Sequence, residues 1–168
     1  STDEFNRYKR RSRWYLAMAA SVAFTIGIGL TMWYHQPLSI GGQALAHMQY
    51  AEMETAHSLL PADLNMVNAK LASFGGSFNE MLDGVEVVNY CHLSTVRSLH
   101  LIVDTPQGKM SVFVVPERGD VTVPSEFSDD QYHGESIKMR HANVMIVGDK
   151  DADLSEMKKA VSERIQFS

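Results

Sequence analysis

The sequence predicts an α+β protein. A single N-terminal transmembrane helix precedes a periplasmic domain with a helical hairpin, an antiparallel sheet of four or five strands and a C-terminal helix. Three observations predict this. Residues 14–34 form an apolar run without a charged side chain. Two segments of helical period follow, and the period then shifts to alternation among β-branched and aromatic residues. Charge also divides at the apolar run: the residues before it carry a net +3, and those after it carry ten basic and eighteen acidic side chains.

At about 1.5 Å of rise per residue, a helix over residues 14–34 spans the roughly 30 Å core of a bilayer. Trp14 and Tyr15 stand at one end, Trp33 and Tyr34 at the other, where amphipathic rings favour the headgroup level. Basic side chains beside a membrane helix stay on the cytoplasmic side. Arg7, Lys9, Arg10, Arg11 and Arg13 therefore place residues 1–13 in the cytoplasm, and the next basic residue is Lys70. The same tail attracts anionic headgroups. Topology accounts for its charge, so no nucleic-acid partner is expected. Ala44-Leu45-Ala46 has the look of a signal-peptide cleavage site. It lies well past the end of a run that is longer than an ordinary signal core, and an uncleaved anchor is expected. The chain opens on Ser1 and reads as a fragment or a processed product. Within the run, Ala19, Ala23 and Gly27 recur every four residues, a face on which a second helix can approach closely.

Residues 35–42, with Pro37, Gly41 and Gly42, read as a linker, and the outer domain as residues 43–168. Residues 43–60 carry Leu45, Met48, Ala51 or Glu52, Thr55 and Leu59 at helical steps, and Pro61 ends them. Asp63 is the candidate N-cap of a second helix with the stripe Leu64, Val67, Leu71 and Phe74, stopped by Gly75 and Gly76. Strands are expected over 85–93, 98–104 and 109–115, the last two joined by the turn Thr105-Pro106-Gln107-Gly108. Leu99, Leu101 and Val103 share one face, and Met110, Val112 and Val114 alternate likewise. Residues 119–132 read as an exposed acidic loop. A second hairpin, 137–140 with 144–147, turns near His141-Ala142-Asn143. Asp151 or Asp153 caps a last helix reaching about Ile165, with Leu154, Met157, Val161 and Ile165 on one side.

Little in this pattern points to chemistry. His47, Glu54 and His57 lie on neighbouring turns of the first outer helix. They are the candidate metal ligands, although a metal site needs three or four ligands in tight geometry, and solvated surface groups are the expected reading. His92, His100, His133 and His141 have no tight partner motif. Asp129, Asp130 and Glu135 lack the spacing of a calcium loop. There is no G-x-S-x-G, phosphate-cradling glycine loop or H-E-x-x-H. Cys91 and His92, adjacent on a strand, point to opposite faces. The single cysteine forms no internal disulfide and is expected as a buried thiol. Neither catalytic residues nor a cofactor are expected, and the protein is not read as an enzyme.

Three stretches carry a resemblance: VNAKLASFGGSF (67–78), VNYCHL (88–93) and VRSLHLIVDTPQGKMSVFVVP (96–116). With the preceding anchor they resemble a family of uncharacterised single-pass inner-membrane proteins of gammaproteobacteria, a domain of unknown function. That family looks like anti-sigma factors in layout: a cytoplasmic region, one membrane helix and a periplasmic sensor domain. The resemblance implies an extracytoplasmic-function sigma factor as partner, bound through a cytoplasmic region of which this sequence holds only the basic tail. It transfers no catalytic residue. The expected function is therefore a membrane-anchored, anti-sigma-like regulator with a periplasmic sensing or partner-binding domain. The alternative is an accessory subunit of an envelope complex, docked through Ala19, Ala23 and Gly27.

Overall fold

A computed structural model describes residue 15 and residues 18–31, 39–57 and 62–168, apart from the side chains of Glu52, Glu54, Ala56 and His57. The chain divides into two units, Ser1–Pro37 and Leu38–Ser168.

In the first unit, residues 18–31 form helix α1, about 21 Å long at helical rise. Among the described residues no helix is long and apolar enough to cross a membrane. The predicted span 14–34 is thus covered only in part. Trp14, Trp33, Tyr34 and the basic residues Arg7, Lys9, Arg10, Arg11 and Arg13 lie outside the described residues.

The second unit is built on an antiparallel sheet of six strands. Their spatial order is β2 (Val85–Leu93), β3 (Val96–Thr105), β4 (Gly108–Pro116), β7 (Ala142–Asp149), β6 (Tyr132–Met139) and β5 (Glu126–Ser128). Three helices accompany it: α2 (Ile40–His57), α3 (Leu64–Leu71) and α4 (Ser155–Arg164). A separate two-stranded sheet joins β1 (Gly76–Phe78) to β8 (Ile165–Phe167).

Alternation decides the layers. Leu99, Leu101 and Val103 join Met110, Val112, Val114, Val144 and Ile146 in a core closed by Val67 and Leu71 of α3 and by Leu154 and Val161 at α4. The intervening side chains Phe113, Val115, Met145 and Val147 form a second core, closed by Ile40, Ala44, Leu45 and Met48 of α2. Helices α2 and α3 therefore cover opposite faces, and the predicted helical hairpin is not formed. The reason is the sheet itself. Burial along β3 and β4 is nearly continuous rather than alternating, so each face must have its own cover.

Other expectations are corrected in the same way. Residues 40–42 belong to α2, not to a linker. The Gly42 N–H donates to Ser39 Oγ at 3.2 Å, and the Gln43 N–H donates to the Ser39 carbonyl at 2.9 Å. A Cβ on Gly41 would stand 2.8 Å from Phe127 Cγ, so glycine there lets α2 lie against β5. The sheet has six strands because the acidic loop contains β5. The second hairpin turns at Arg140 and His141, where His141 has φ 65°. The last helix ends at Arg164, as expected to within a residue, and Ile165 begins β8, but its N-cap is Leu154 without a side-chain hydrogen bond rather than Asp151 or Asp153. Asp63 is the N-cap as expected, Oδ1 accepting the Met66 N–H at 2.7 Å. Gly75, φ 72°, ends the short 3-10 turn Ala72–Phe74.

Candidate functional site

Two places hold residues that the sequence singles out, and a third is built only by the fold. The first is α1. Every described side chain from Met18 to Thr31 is exposed, Phe24 at 70% and Leu30 at 63%. Its polar side chains bond back to its own backbone. Ser21 Oγ donates to the Met18 carbonyl at 3.0 Å, Thr25 Oγ1 to that of Ser21 at 2.9 Å, and Thr31 Oγ1 to that of Gly27 at 2.7 Å. Hydroxyls satisfied this way need no water. Ala19, Ala23 and Gly27 follow one another at helical spacing, and a Cβ at Gly27 would meet nothing within 4 Å. Tyr15 is 70% exposed.

The second place is the seat of α2 on the sheet. The His47 ring lies 5.6 Å from that of His100 and 5.8 Å from that of Phe113. His100 stacks on Phe113 at 4.3 Å with the planes 10° apart. Its Nε2 is 2.8 Å from Ser111 Oγ, and His100 and Ser111 are both buried. Burial, with the neighbouring His47 adding to it, pushes the His100 imidazole down to about 3, so it stays neutral.

This seat bears on the metal candidates. Ten residues of helical rise put His47 and His57 about 15 Å apart along α2. The side chains of Glu54 and His57 lie outside the described residues. Among the described residues, no group of three or more His, Cys, Asp or Glu could hold a metal ion. Cys91 is half-buried rather than buried, packed against the α2 core. Asp129 closes a turn, its Oδ1 accepting the N–H groups of Gln131 and Tyr132 at 2.8 Å each. Glu135 pairs with Lys158.

The third place was not legible in the sequence. A cavity of about 350 Å³ lies between α4 and the β3–β4 turn, lined by apolar Leu82, Met110 and Met157 and by charged Asp83, Glu156 and Arg164. Arg164 is fixed by donating Nη1 to the Met81 carbonyl at 2.7 Å and by pairing with Asp83 at 3.4 Å. Gln107 ties the turn to the start of α4, its Oε1 accepting the Asp153 N–H at 2.7 Å. Hydrogen bonds from the Ser155 hydroxyl and N–H hold the Asp153 carboxyl below its usual range. The arrangement suits binding. Three separated stretches build it, and its one local sequence signal is Asp153 two residues before Ser155.

Residues 1–165 match a protein family described as a protein of unknown function, DUF3379. No curated protein and no solved structure matches the chain.

Proposed function

The chain thus belongs to the DUF3379 family, and we propose that it is a membrane-anchored, anti-sigma-like regulator with an outer domain that senses a signal or binds a partner. The observation that carries this reading is α1, whose side chains are exposed, almost wholly apolar and without an unsatisfied hydroxyl. Water penalises such a surface, whereas lipid does not. The aromatic ends at Trp14 and Trp33 and the basic tail extend the reading to a single-pass inner-membrane protein with residues 1–13 in the cytoplasm.

In this reading the helix transmits and the sheet domain receives. A ligand or partner changes the outer domain by favouring one of two states, and the consequence reaches an extracytoplasmic-function sigma factor on the cytoplasmic side. The cavity beside α4 offers a place for such a ligand.

Reporter fusions at Ser168 test the topology. Alkaline phosphatase should be active there and a cytosolic reporter silent, and the reverse pattern ends the reading. Affinity capture of the native protein in mild detergent tests the partner, with a sigma factor as the expected catch. Capture of an integral complex at fixed stoichiometry would instead favour an accessory subunit. The uncovered small-residue face of Ala19, Ala23 and Gly27 supports that second reading.

A further inference from the structure

Folding sorts the charge of the second unit to opposite ends of its sheet. One end is formed by the β2–β3 turn, the end of β4 and the β6–β7 turn. The register places Arg97 opposite His92, Lys138 opposite Asn143 and Pro116 opposite Ala142, and Arg118 and Arg140 lie just beyond the strand ends. The Arg97 guanidinium stands 3.8 Å from the centre of the Tyr90 ring and Lys70 Nζ 4.7 Å from it, which brings the cation of α3 to the same end. Glu117 and Asp120 are there too, engaged by Lys138 at 3.4 Å and Arg118 at 3.2 Å. Among the described residues no ion pair engages Lys70, Arg97 or Arg140. At the far end, Asp83, Asp104, Asp130, Asp149, Asp151 and Asp153 surround the cavity and the neighbouring cleft, against Lys150 and Arg164.

The cationic end is also where the chain joins the domain. The Ser94 N–H of the β2–β3 turn donates to Gln43 Oε1 in the first turn of α2, which Ser39 caps. Ser39 follows Thr31, the last described residue of α1, by eight residues, a length of chain that reaches no more than about 28 Å. With α1 in a bilayer, the reading on which this inference rests, that length bounds how far Ser39 can stand from the end of α1.

The geometry points to a lipid-docking surface: Lys70, Arg97, Arg118, Lys138 and Arg140 rest on the anionic headgroups of the bilayer that holds α1. All five lie more than 30 residues beyond Tyr34. They therefore take no part in setting topology, which is governed by cations close to the membrane span, and folding brings them back to the surface. Each cation near an anionic surface favours the docked state about fivefold. The acidic end, with its cavity, then faces away from the membrane and stays open.

The test uses the full chain in nanodiscs of phosphatidylcholine alone or with one third phosphatidylglycerol, read by amide hydrogen exchange. In anionic discs, exchange at residues 94–97 and 140–142 should slow at least fivefold, while the β3–β4 turn at 105–108 stays unchanged. High salt, or the paired change Arg97→Gln and Arg140→Gln, should abolish the difference, and unchanged exchange in neutral discs verifies the variant's fold. Equal exchange at 94–97 and 140–142 in the two discs overturns the inference. So does equal protection in neutral discs on adding inorganic phosphate at matched ionic strength, since the surface would then be a free-anion site. Failure of the chain to enter either disc overturns the membrane reading as well, and is seen before any exchange is measured.

Discussion

Asn68 holds both backbone groups of Phe78: its Nδ2 donates to the Phe78 carbonyl at 2.9 Å, and the Phe78 N–H donates to its Oδ1 at 2.7 Å. The side-chain amide of a helix thereby occupies the place of a neighbouring strand, along β1, which has β8 as its backbone partner. The two residues lie ten apart inside the stretch 67–78, one of those that carried the resemblance.

Removing that amide leaves a donor and an acceptor of β1 without partners. Asn68→Ala should destabilise the protein by about 2–6 kcal/mol, from one to three per buried group. Urea unfolding measures this, and an Ala variant as stable as the parent would remove the structural role.

His100 predicts a pH dependence. Its imidazole is pushed down to about 3 in the folded chain, while an unfolded chain takes up the proton near 6.5. The unfolded state therefore binds more protons between these values, and stability is lost as pH falls from about 6.5 toward 3. From pH 7.5 to 5 this residue alone should cost about 2 kcal/mol. Unfolding curves at the two pH values should differ by that much more in the parent than in His100→Gln. Equal differences in both would show that burial of this ring is not felt.

Gly84 turns the chain into β2 with φ 80°, and a Cβ there would lie 2.1 Å from the Asp104 carbonyl oxygen. The two residues also share a hydrogen bond, Asp104 N–H to Gly84 O at 2.8 Å. Gly84→Ala must open this contact as well as adopt the left-handed region, at a cost of about 3 kcal/mol or more. Gly119→Ala, where a Cβ meets nothing within 4 Å, should stay within about 0.5 kcal/mol. Thermal unfolding of the pair separates the local clash from a general effect of glycine replacement.

Phe24 sits at the middle of residues 14–34. In a bilayer, Phe24→Arg adds about 3 kcal/mol to the cost of insertion, and the variant should leave the membrane fraction on alkaline extraction. Equal retention of parent and variant would count against the anchor.

The parts of the fold legible in the sequence were those coded locally. The strand Val85–Leu93 has the predicted bounds, and the Asp63 cap and the Thr105–Gly108 turn needed only neighbouring residues. What escaped was coded at a distance. The runs LHLIV and VFVV are apolar on both parities, so reading one face from Leu99, Leu101 and Val103 concealed the other, which α2 covers. Gly41 and Gly42 resembled a linker because the ring that requires Gly41, that of Phe127, lies 86 positions later. Strands of three residues, β1, β5 and β8, show no period at all. The cavity and the cationic rim were invisible for the same reason, each being gathered from segments tens of residues apart.

The pairing of β1 with β8 sets Gly76 beside Phe167. A barrier to early completion follows. However fast the central hairpins assemble, this domain cannot close its own seam while residues 165–167 are still in a ribosome or a translocon. The seam joins Gly76 to Phe167, the kind of non-local contact whose loop closure topology makes slow.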